Sequence, residues 1–193
     1  MYRTVLEVER KFAGFADVYY DVSNRLSSKG VWLRKRQLVG KSPTWEVKCR
    51  RGGNFNKSMF EEYTNLQGIS SLVKNLTGRQ TTAANNFGLD IIASLNTDRK
   101  SWRADKHFKI VLDCTDFGHE VGEVELERIV VPPGQEDNKF DIAAWNRKIT
   151  QEIDSEIHGF MTHYHWAFRK EEPIGKLTAY FERQRQDQGT LRH

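Results

Sequence analysis

Apolar and polar residues alternate at a period of two along much of the chain, which is the pattern of a half-buried β-strand. Trp45, Val47 and Cys49 alternate with Glu46 and Lys48 in one clear example. Turn residues at 40–43 precede this segment and predict an antiparallel hairpin with the strand before it. The sequence predicts strands at residues 4–12, 17–22, 31–38, 44–50, 59–63, 99–104, 107–113 and 121–130.

Other segments follow the three- and four-residue spacing of an amphipathic helix. The clearest helix is predicted at residues 141–158, with Asp141 as its N-cap and Gly159 just beyond its end. Shorter helices are predicted at residues 69–76 and 87–95. The apolar stripe of the clearest helix is Ile142, Trp145, Ile149, Ile153 and Ile157.

Many antiparallel strands with a few helices indicate the α+β class. Alternation gives each strand a charged face and an apolar face, so helices can cover the apolar faces. If the sheet curls, the charged faces would line a wet interior, and closure into a barrel would remove the sheet edges. A length of 193 residues favours a single domain that spans residues 1–193. Two small domains are the alternative. The segment after Gly175 is a short strand or helix, and we expect disorder after about residue 186.

The composition of the chain places modest limits on its ligand and its cellular compartment. The chain is 38% hydrophobic with a net charge of +4, which fits an anionic ligand but does not by itself suggest nucleic acid. The two cysteines, Cys49 and Cys114, are too sparse for a disulfide framework and favour a reducing compartment. No apolar run approaches the ~20 residues of a membrane span, and strand pattern begins too early for a signal peptide. We therefore expect a cytoplasmic protein without a membrane partner.

The first predicted strand carries Glu7, Glu9 and Lys11 at a period of two, so two carboxylates and an ammonium share one face. Hard carboxylate oxygens suit Mg²⁺, and the ammonium suits a neighbouring phosphate. The mixed signs point to polyphosphate chemistry, whereas the plainer alternative is a solvated face with cross-strand salt bridges. Similar period-two pairs are Glu123 with Glu125, Arg34 with Arg36, and Glu46 with Lys48.

The ordered set of such motifs resembles the CYTH superfamily, the triphosphate tunnel metalloenzymes, and within it the eukaryotic thiamine triphosphatase branch. The E-x-E-x-K motif alone is a moderate signal, and the ordered set is a strong one. The matching pieces are Val-Glu-Arg-Lys-Phe at 8–12, Tyr-Tyr-Asp at 19–21, Trp-Leu-Arg at 32–34, Trp-Glu-Val-Lys-Cys at 45–49, Asp-Phe-Gly at 116–118, Val-Gly-Glu-Val-Glu at 121–125 and Gly-Lys-Leu at 175–177.

The resemblance implies an eight-stranded antiparallel β-barrel, the triphosphate tunnel, with helices packed outside. It implies Mg²⁺, or Mn²⁺ in its place, as the cofactor. The implied metal ligands are Glu7, Glu9, Glu123 and Glu125. The implied triphosphate-binding cations are Lys11, Arg34, Arg36, Lys48, Arg99 and Lys176.

Two further roles follow from the same resemblance. Tyr19 with Lys48 would form the catalytic pair that activates water, or Tyr19 would only hydrogen-bond across the wall. Trp32 would face the thiamine rings and stack on the cationic thiazolium, or it would be an ordinary core residue. Alternation by itself places Trp45 on the strand face opposite Glu46 and Lys48, where it is expected to be core.

Two departures from the family pattern stand out. Only residues 13–16 separate the first two predicted strands, where the family has a helix. Its loss should expose Leu6 and Val8, unless another element or a second chain covers them, so we expect a monomer or, with exposed apolar surface, a dimer. An additional tunnel acid of the family aligns with Val111, and Asp113 on the same strand face could replace it as a metal ligand.

The expected activity is Mg²⁺-dependent hydrolysis of thiamine triphosphate to thiamine diphosphate and phosphate. One alternative is an inorganic, nucleoside or RNA 5′-triphosphatase of the same fold. Another is a polyphosphate-binding module without turnover. The expected partner is a small-molecule triphosphate, and nucleic acid is not expected.

Overall fold

A computed structural model describes residues 11–53, 58–79, 82–105, 107–128, 141–168 and 172–190. The seven strands of the described residues are β1 (Lys11–Asp21), β2 (Val31–Leu38), β3 (Thr44–Gly53), β4 (Ser58–Tyr63), β5 (Asp90–Ala104), β6 (Phe108–Thr115) and β7 (Glu120–Leu126). The α-helices are α1 (Leu66–Thr77), α2 (Ile142–His163) and α3 (Lys176–Thr190). Short 3₁₀ turns lie at Ser27–Lys29, Ala83–Gly88 and His165–Ala167.

The strands form one curled antiparallel sheet in the order β4-β3-β2-β1-β5-β6-β7. The α+β class and the hairpin of β2 with β3 are confirmed. The expected eight strands are not confirmed, because the described part of the chain forms seven. Within that part β4 and β7 are the two edges of the sheet, so a closed barrel is not confirmed either.

Strand β1 lies at the centre of the sheet and runs without a break through residues 13–16, which were predicted to be a connection between two strands. That interpretation was wrong for these residues. Ladders to β2 on one side and β5 on the other hold the backbone extended, and they override the weak strand preference of Gly14. The ladder to β5 shifts its register between Tyr19 and Tyr20. Residues 4–10, including Leu6 and Val8, lie outside the described residues.

The predicted helix at 87–95 is also wrong. Residues Ala83–Gly88 form a 3₁₀ turn, and β5 begins at Asp90. Phe87 is fully buried with a φ of +56°, a left-handed conformation that an α-helix cannot contain. Beyond it, Ala93, Leu95 and Thr97 are buried at a period of two, as a strand requires.

Helix α1 covers the apolar face of β2 and β3. Asn65 caps α1 by accepting a hydrogen bond from the Gly68 amide at 2.6 Å, and Gly78 ends it with a φ of +74°. The buried members of this core are Tyr20, Leu26, Val31, Leu33, Trp45, Val47, Cys49, Ile69, Val73, Phe87 and Leu89. The core position of Trp45 is therefore confirmed.

Helices α2 and α3 lie in the C-terminal part of the chain. The Asp141 N-cap is confirmed, since its carboxylate accepts from the Ala144 amide at 2.9 Å. Helix α2 continues past Gly159 to His163, so the predicted end at Gly159 was wrong; Phe160, one residue on, stacks on Phe108 at 4.2 Å. The segment after Gly175 is a helix, and it continues to Thr190, beyond residue 186. Among the described helices, none is both long and apolar enough to cross a membrane.

Candidate active site on the charged face of the sheet

Cross-strand register brings most predicted site residues onto one face of the sheet. Directly paired residues share a face in an antiparallel ladder. The pairs Tyr19–Arg34, Arg34–Glu46 and Arg99–Asp113 are therefore on the same side. We call this side the charged face. Its members are Phe15, Asp17, Tyr19, Trp32, Arg34, Arg36, Glu46, Lys48, Arg99, Lys109, Asp113, Glu123 and Glu125.

Asp17 is the centre of a first group of charges, the Asp17 cluster, with Arg34, Arg36 and Glu46. Asp17 is fully buried, and both its oxygens accept from Arg36, at 2.8 and 2.7 Å. Arg34 donates to Glu46 at 2.9 and 2.6 Å and lies 3.6 Å from Asp17. Burial alone would lower the pKa of Arg34, but Tyr19, Asp17 and Glu46 outweigh burial and raise it. Both guanidinium groups are therefore fixed in charge and in orientation.

Asp113 is the centre of a second group, the Asp113 cluster, with Arg99 and Lys176. Arg99 donates to the two Asp113 oxygens at 2.6 and 2.7 Å, and the Lys176 ammonium also contacts this carboxylate. Burial alone would raise the pKa of Asp113, but the hydrogen bonds from Arg99 and Lys176 hold it below its ordinary value. Burial lowers the pKa of Lys176, and Asp113 only partly offsets this.

Helix α3 brings Lys176 to the charged face. Its apolar residues Leu177, Tyr180 and Phe181 pack against a small core that contains Tyr19 and Leu95. The first residue of the helix therefore reaches across the sheet to β6. The Lys176 contact spans 63 positions of sequence and is the longest-range ion pair of either cluster.

The predicted catalytic pair is not in contact. Tyr19 lies against Arg34, whereas Lys48 forms a 2.8 Å ion pair with Glu62 on β4. Burial raises the pKa of Tyr19, and Arg34 opposes the rise without cancelling it. A raised pKa suits a tyrosine that donates a hydrogen bond better than one that removes a proton. The role of Tyr19 with Lys48 in activating water stays a prediction.

Trp32 lies on the charged face, half-buried, with its ring edge-on to Phe60 at 5.9 Å. An open cavity of about 590 Å³ adjoins it. Three cations, Lys29, Arg50 and Arg51, line this cavity together with Trp32. The ring is thus placed to contact a ligand, in surroundings that favour negative charge.

The predicted metal ligands are only partly within the described residues. Glu7 and Glu9 lie outside them, and Lys11 is described only as part of the β1 backbone. Glu123 is exposed on β7, and Glu125 two residues on pairs with Lys109 at 2.6 Å. Across the described ranges, no group of three or more histidine, cysteine, aspartate or glutamate residues is close enough to hold a metal ion.

Glu123 and Asp113 differ as metal ligands. The exposed Glu123 carboxylate fits the hard oxygen donor that Mg²⁺ takes. Asp113 fits poorly, because Arg99 and Lys176 already occupy both of its oxygens. Asp113, two residues from Val111 where the family has its additional acid, is a counter-ion for two cations.

Four members of this face were not predicted from the sequence: Phe15, Asp17, Glu46 and Lys109. Asp17 could have been found, because it shares a period-two face with Tyr19 in the predicted strand 17–22. Glu46 alternates with Lys48 and was seen only as part of the strand pattern. Phe15 was hidden by the interpretation of residues 13–16 as a connection.

A sequence profile of the CYTH domain family matches residues 5–160. The chain therefore belongs to the CYTH domain family. It is similar to human thiamine-triphosphatase, at 29% identity over 164 residues that cover 65% of this chain and 69% of that protein. The macaque thiamine-triphosphatase is 28% identical over the same shares of both chains.

Solved structures that this chain is similar to include a Bacillus halodurans protein described as a candidate adenylate cyclase, at 15% identity and a TM-score of 0.48. The match covers 88% of this chain and 83% of that one. A Hippeastrum protein described as a candidate adenylyl cyclase with a dominant triphosphatase activity is also 15% identical. Its TM-score is 0.46, and the match covers 79% of this chain and 74% of that one.

Proposed function

We propose that this chain is a Mg²⁺-dependent hydrolase of phosphoanhydride bonds whose substrate is thiamine triphosphate, giving thiamine diphosphate and phosphate. The observation that carries the proposal is the convergence of cations on one sheet face, interleaved with buried carboxylates. A triphosphate carries about four negative charges and needs several cations at once. The cations are Arg34, Arg36, Lys48, Arg99 and Lys176. Family membership and relatives named thiamine-triphosphatase support the same substrate.

The two carboxylate clusters orient the phosphate-binding groups. Asp17 engages Arg36, and Asp113 engages Arg99, through Nε and one Nη of each guanidinium. The other Nη of Arg36 lies 3.8 Å from Glu46, so this guanidinium is held by two carboxylates. A guanidinium fixed in this way loses little further freedom when it binds a phosphate, so the face is organised before the substrate arrives.

A bound Mg²⁺ would offset negative charge on the phosphate oxygens and ease departure of the diphosphate. Glu7, Glu9, Glu123 and Glu125 would hold it. Tyr19, with its raised pKa, would orient the attacking water by hydrogen bonding while Arg34 stabilises negative charge on the transferred phosphoryl group.

One observation favours a different substrate on the same face. The cavity beside Trp32 is lined by Lys29, Arg50 and Arg51, and a thiazolium ring is itself cationic. Inorganic tripolyphosphate or a nucleoside triphosphate would not bring positive charge into that cavity. This second candidate keeps the reaction and changes the group attached to the triphosphate.

Phosphate release from thiamine triphosphate, tripolyphosphate and ATP, with and without Mg²⁺, tests both candidates. The informative variants are Glu9→Gln and Glu123→Gln, with Glu120→Gln as the matched control on the opposite face of β7. Mg²⁺-dependent preference for thiamine triphosphate, lost in the first two variants and kept in the third, supports the proposal. Preference for tripolyphosphate would favour the second candidate. Binding without turnover by the folded protein would leave a polyphosphate-binding module.

Trp32→Ala separates the two candidates further. Stacking on a thiazolium predicts about a tenfold or larger loss for thiamine triphosphate and little change for tripolyphosphate. Equal losses for both substrates would show that Trp32 does not recognise the thiamine rings.

A further inference from the structure

We propose that Phe15 is a positioning residue that holds three phosphate-binding cations in place through the face of its ring. The inference rests on the proposed function for its consequence in substrate binding. Its structural part, the ordering of the cations by the ring, stands independently of the reaction.

The geometry places three cations around a single ring. The guanidinium carbon of Arg36 lies 4.0 Å from the Phe15 ring centroid, and that of Arg99 lies 5.2 Å away. The Lys176 ammonium lies 5.1 Å from the same centroid. All three are within the ~6 Å at which a cation is attracted to an aromatic face. Phe15 is 5% exposed, so solvent screens these contacts little.

Phe15 lies between the two clusters. Arg36 belongs to the Asp17 cluster, whereas Arg99 and Lys176 belong to the Asp113 cluster. Each arginine is held at one edge by a carboxylate and contacts the ring as well. Among the ion pairs and ring contacts of the described residues, Phe15 is therefore the one residue that contacts cations of both clusters.

An aromatic ring suits this position better than a third carboxylate would. Asp17 and Asp113 offset two of the three cations, and one net positive charge is left to attract an anion. A ring attracts cations through its electron-rich face but carries no net charge. It therefore orders the three groups without cancelling the charge that a triphosphate needs. Thr97, opposite Phe15 on β5, makes no hydrogen bond to any of these cations in the described part of the chain.

The first test is Phe15→Leu, which keeps an apolar side chain and removes the ring. We expect KM for tripolyphosphate to rise about tenfold, with kcat within about twofold of the wild-type value. Phe160→Leu is the matched control, since Phe160 is equally buried but packs on Phe108 and Tyr164 rather than on cations among the described residues. It should lower stability and leave KM unchanged. Equal rises of KM in both variants would overturn the proposal.

A second test keeps the shape of the residue. Replacing Phe15 by 3,4,5-trifluorophenylalanine weakens the negative ring face with little change in size. The expected result is about a threefold rise in KM for tripolyphosphate at an unchanged melting temperature. A KM equal to that of the wild type would show that the ring acts only by filling space.

A third measurement needs no substrate. Arginine Nε–Hε resonances in the ligand-free protein should show a ring-current shift for Arg36 and Arg99, and this shift should vanish in Phe15→Leu. If wild-type protein failed to bind tripolyphosphate while these shifts behaved as expected, the proposed function would fail and the ordering by Phe15 would stand. Unshifted arginine resonances in the wild type would overturn the ordering itself.

Discussion

The Asp17 and Asp113 clusters have the same chemistry but are built differently. In each, a buried carboxylate binds one guanidinium through two hydrogen bonds and has a second cation nearby. The cations beside Asp17, Arg34 and Arg36, both come from the adjacent strand β2. The cations at Asp113 come from β5 and from helix α3. The first cluster follows from sheet register alone, whereas the second also needs a helix to dock.

The largest effect should come from breaking the cluster that depends on register alone. Asp17→Asn leaves two mostly buried guanidinium groups without their full counter-charge. We expect a loss of about 3–5 kcal/mol in the free energy of unfolding, measured by urea denaturation. Asp98→Asn, an exposed change on the opposite face of β5, is the control and should stay within about 0.5 kcal/mol. A loss as small as that of the control would mean that the cluster contributes little to stability.

Lys176→Met should have a smaller and more local effect, because Arg99 still neutralises Asp113. We expect a loss of about 1–3 kcal/mol, since a charge-assisted buried hydrogen bond disappears. Hydrogen exchange should become faster in α3 and stay unchanged in β2. Uniform acceleration across the sheet would contradict a local effect of Lys176 on the docking of α3.

The pKa of Lys176 gives the Asp113 cluster a pH dependence. Burial lowers this pKa, so the folded protein loses the proton below the ordinary lysine value of about 10.4. Affinity for tripolyphosphate should therefore fall as pH rises through the lowered pKa, whereas stability should rise, because the unfolded chain binds more protons there. Calorimetric titrations of wild type and Lys176→Arg test this. The arginine variant should keep its affinity, and a parallel fall in both proteins would assign the effect to another group.

The smallest effect is expected at the edge of the sheet. Lys48 and Glu62 form an ion pair whose side chains are 33% and 54% exposed, so water and salt screen it. Glu62→Gln should change the free energy of unfolding by less than about 0.5 kcal/mol, and added salt should change that difference little. A loss near that of Asp17→Asn would mean that burial does not distinguish these ion pairs.

A strand supported by strict alternation could be predicted from sequence, as β3 was. The continuity of β1 through residues 13–16 could not, because Ala13, Gly14 and Ala16 favour a strand only when other strands pair on both sides. The segment 87–95 was mistaken for a helix because a short apolar run carries no clear period. Its conformation depends on Phe87, whose left-handed backbone is held by burial.

The cations of the site were predicted better than their partners. Arg34, Arg36, Arg99 and Lys176 follow from the family resemblance, and the structure brings all four to the charged face. Their counter-ions and the ring between them depend on cross-strand register, which no single segment of sequence contains. For the same reason the pairing of Lys48 with Glu62 rather than Tyr19 could not be foreseen.

The central position of β1 also sets an order of folding. Its partner β2 follows after a short turn, but its other partner, β5, begins only at Asp90. Local contacts close quickly, whereas distant ones wait for a longer loop to close. We therefore expect the half-sheet of β1, β2 and β3 to assemble early with the Asp17 cluster in place. The Asp113 cluster would mature last, when α3 docks, so anion affinity should appear later in refolding than the sheet itself.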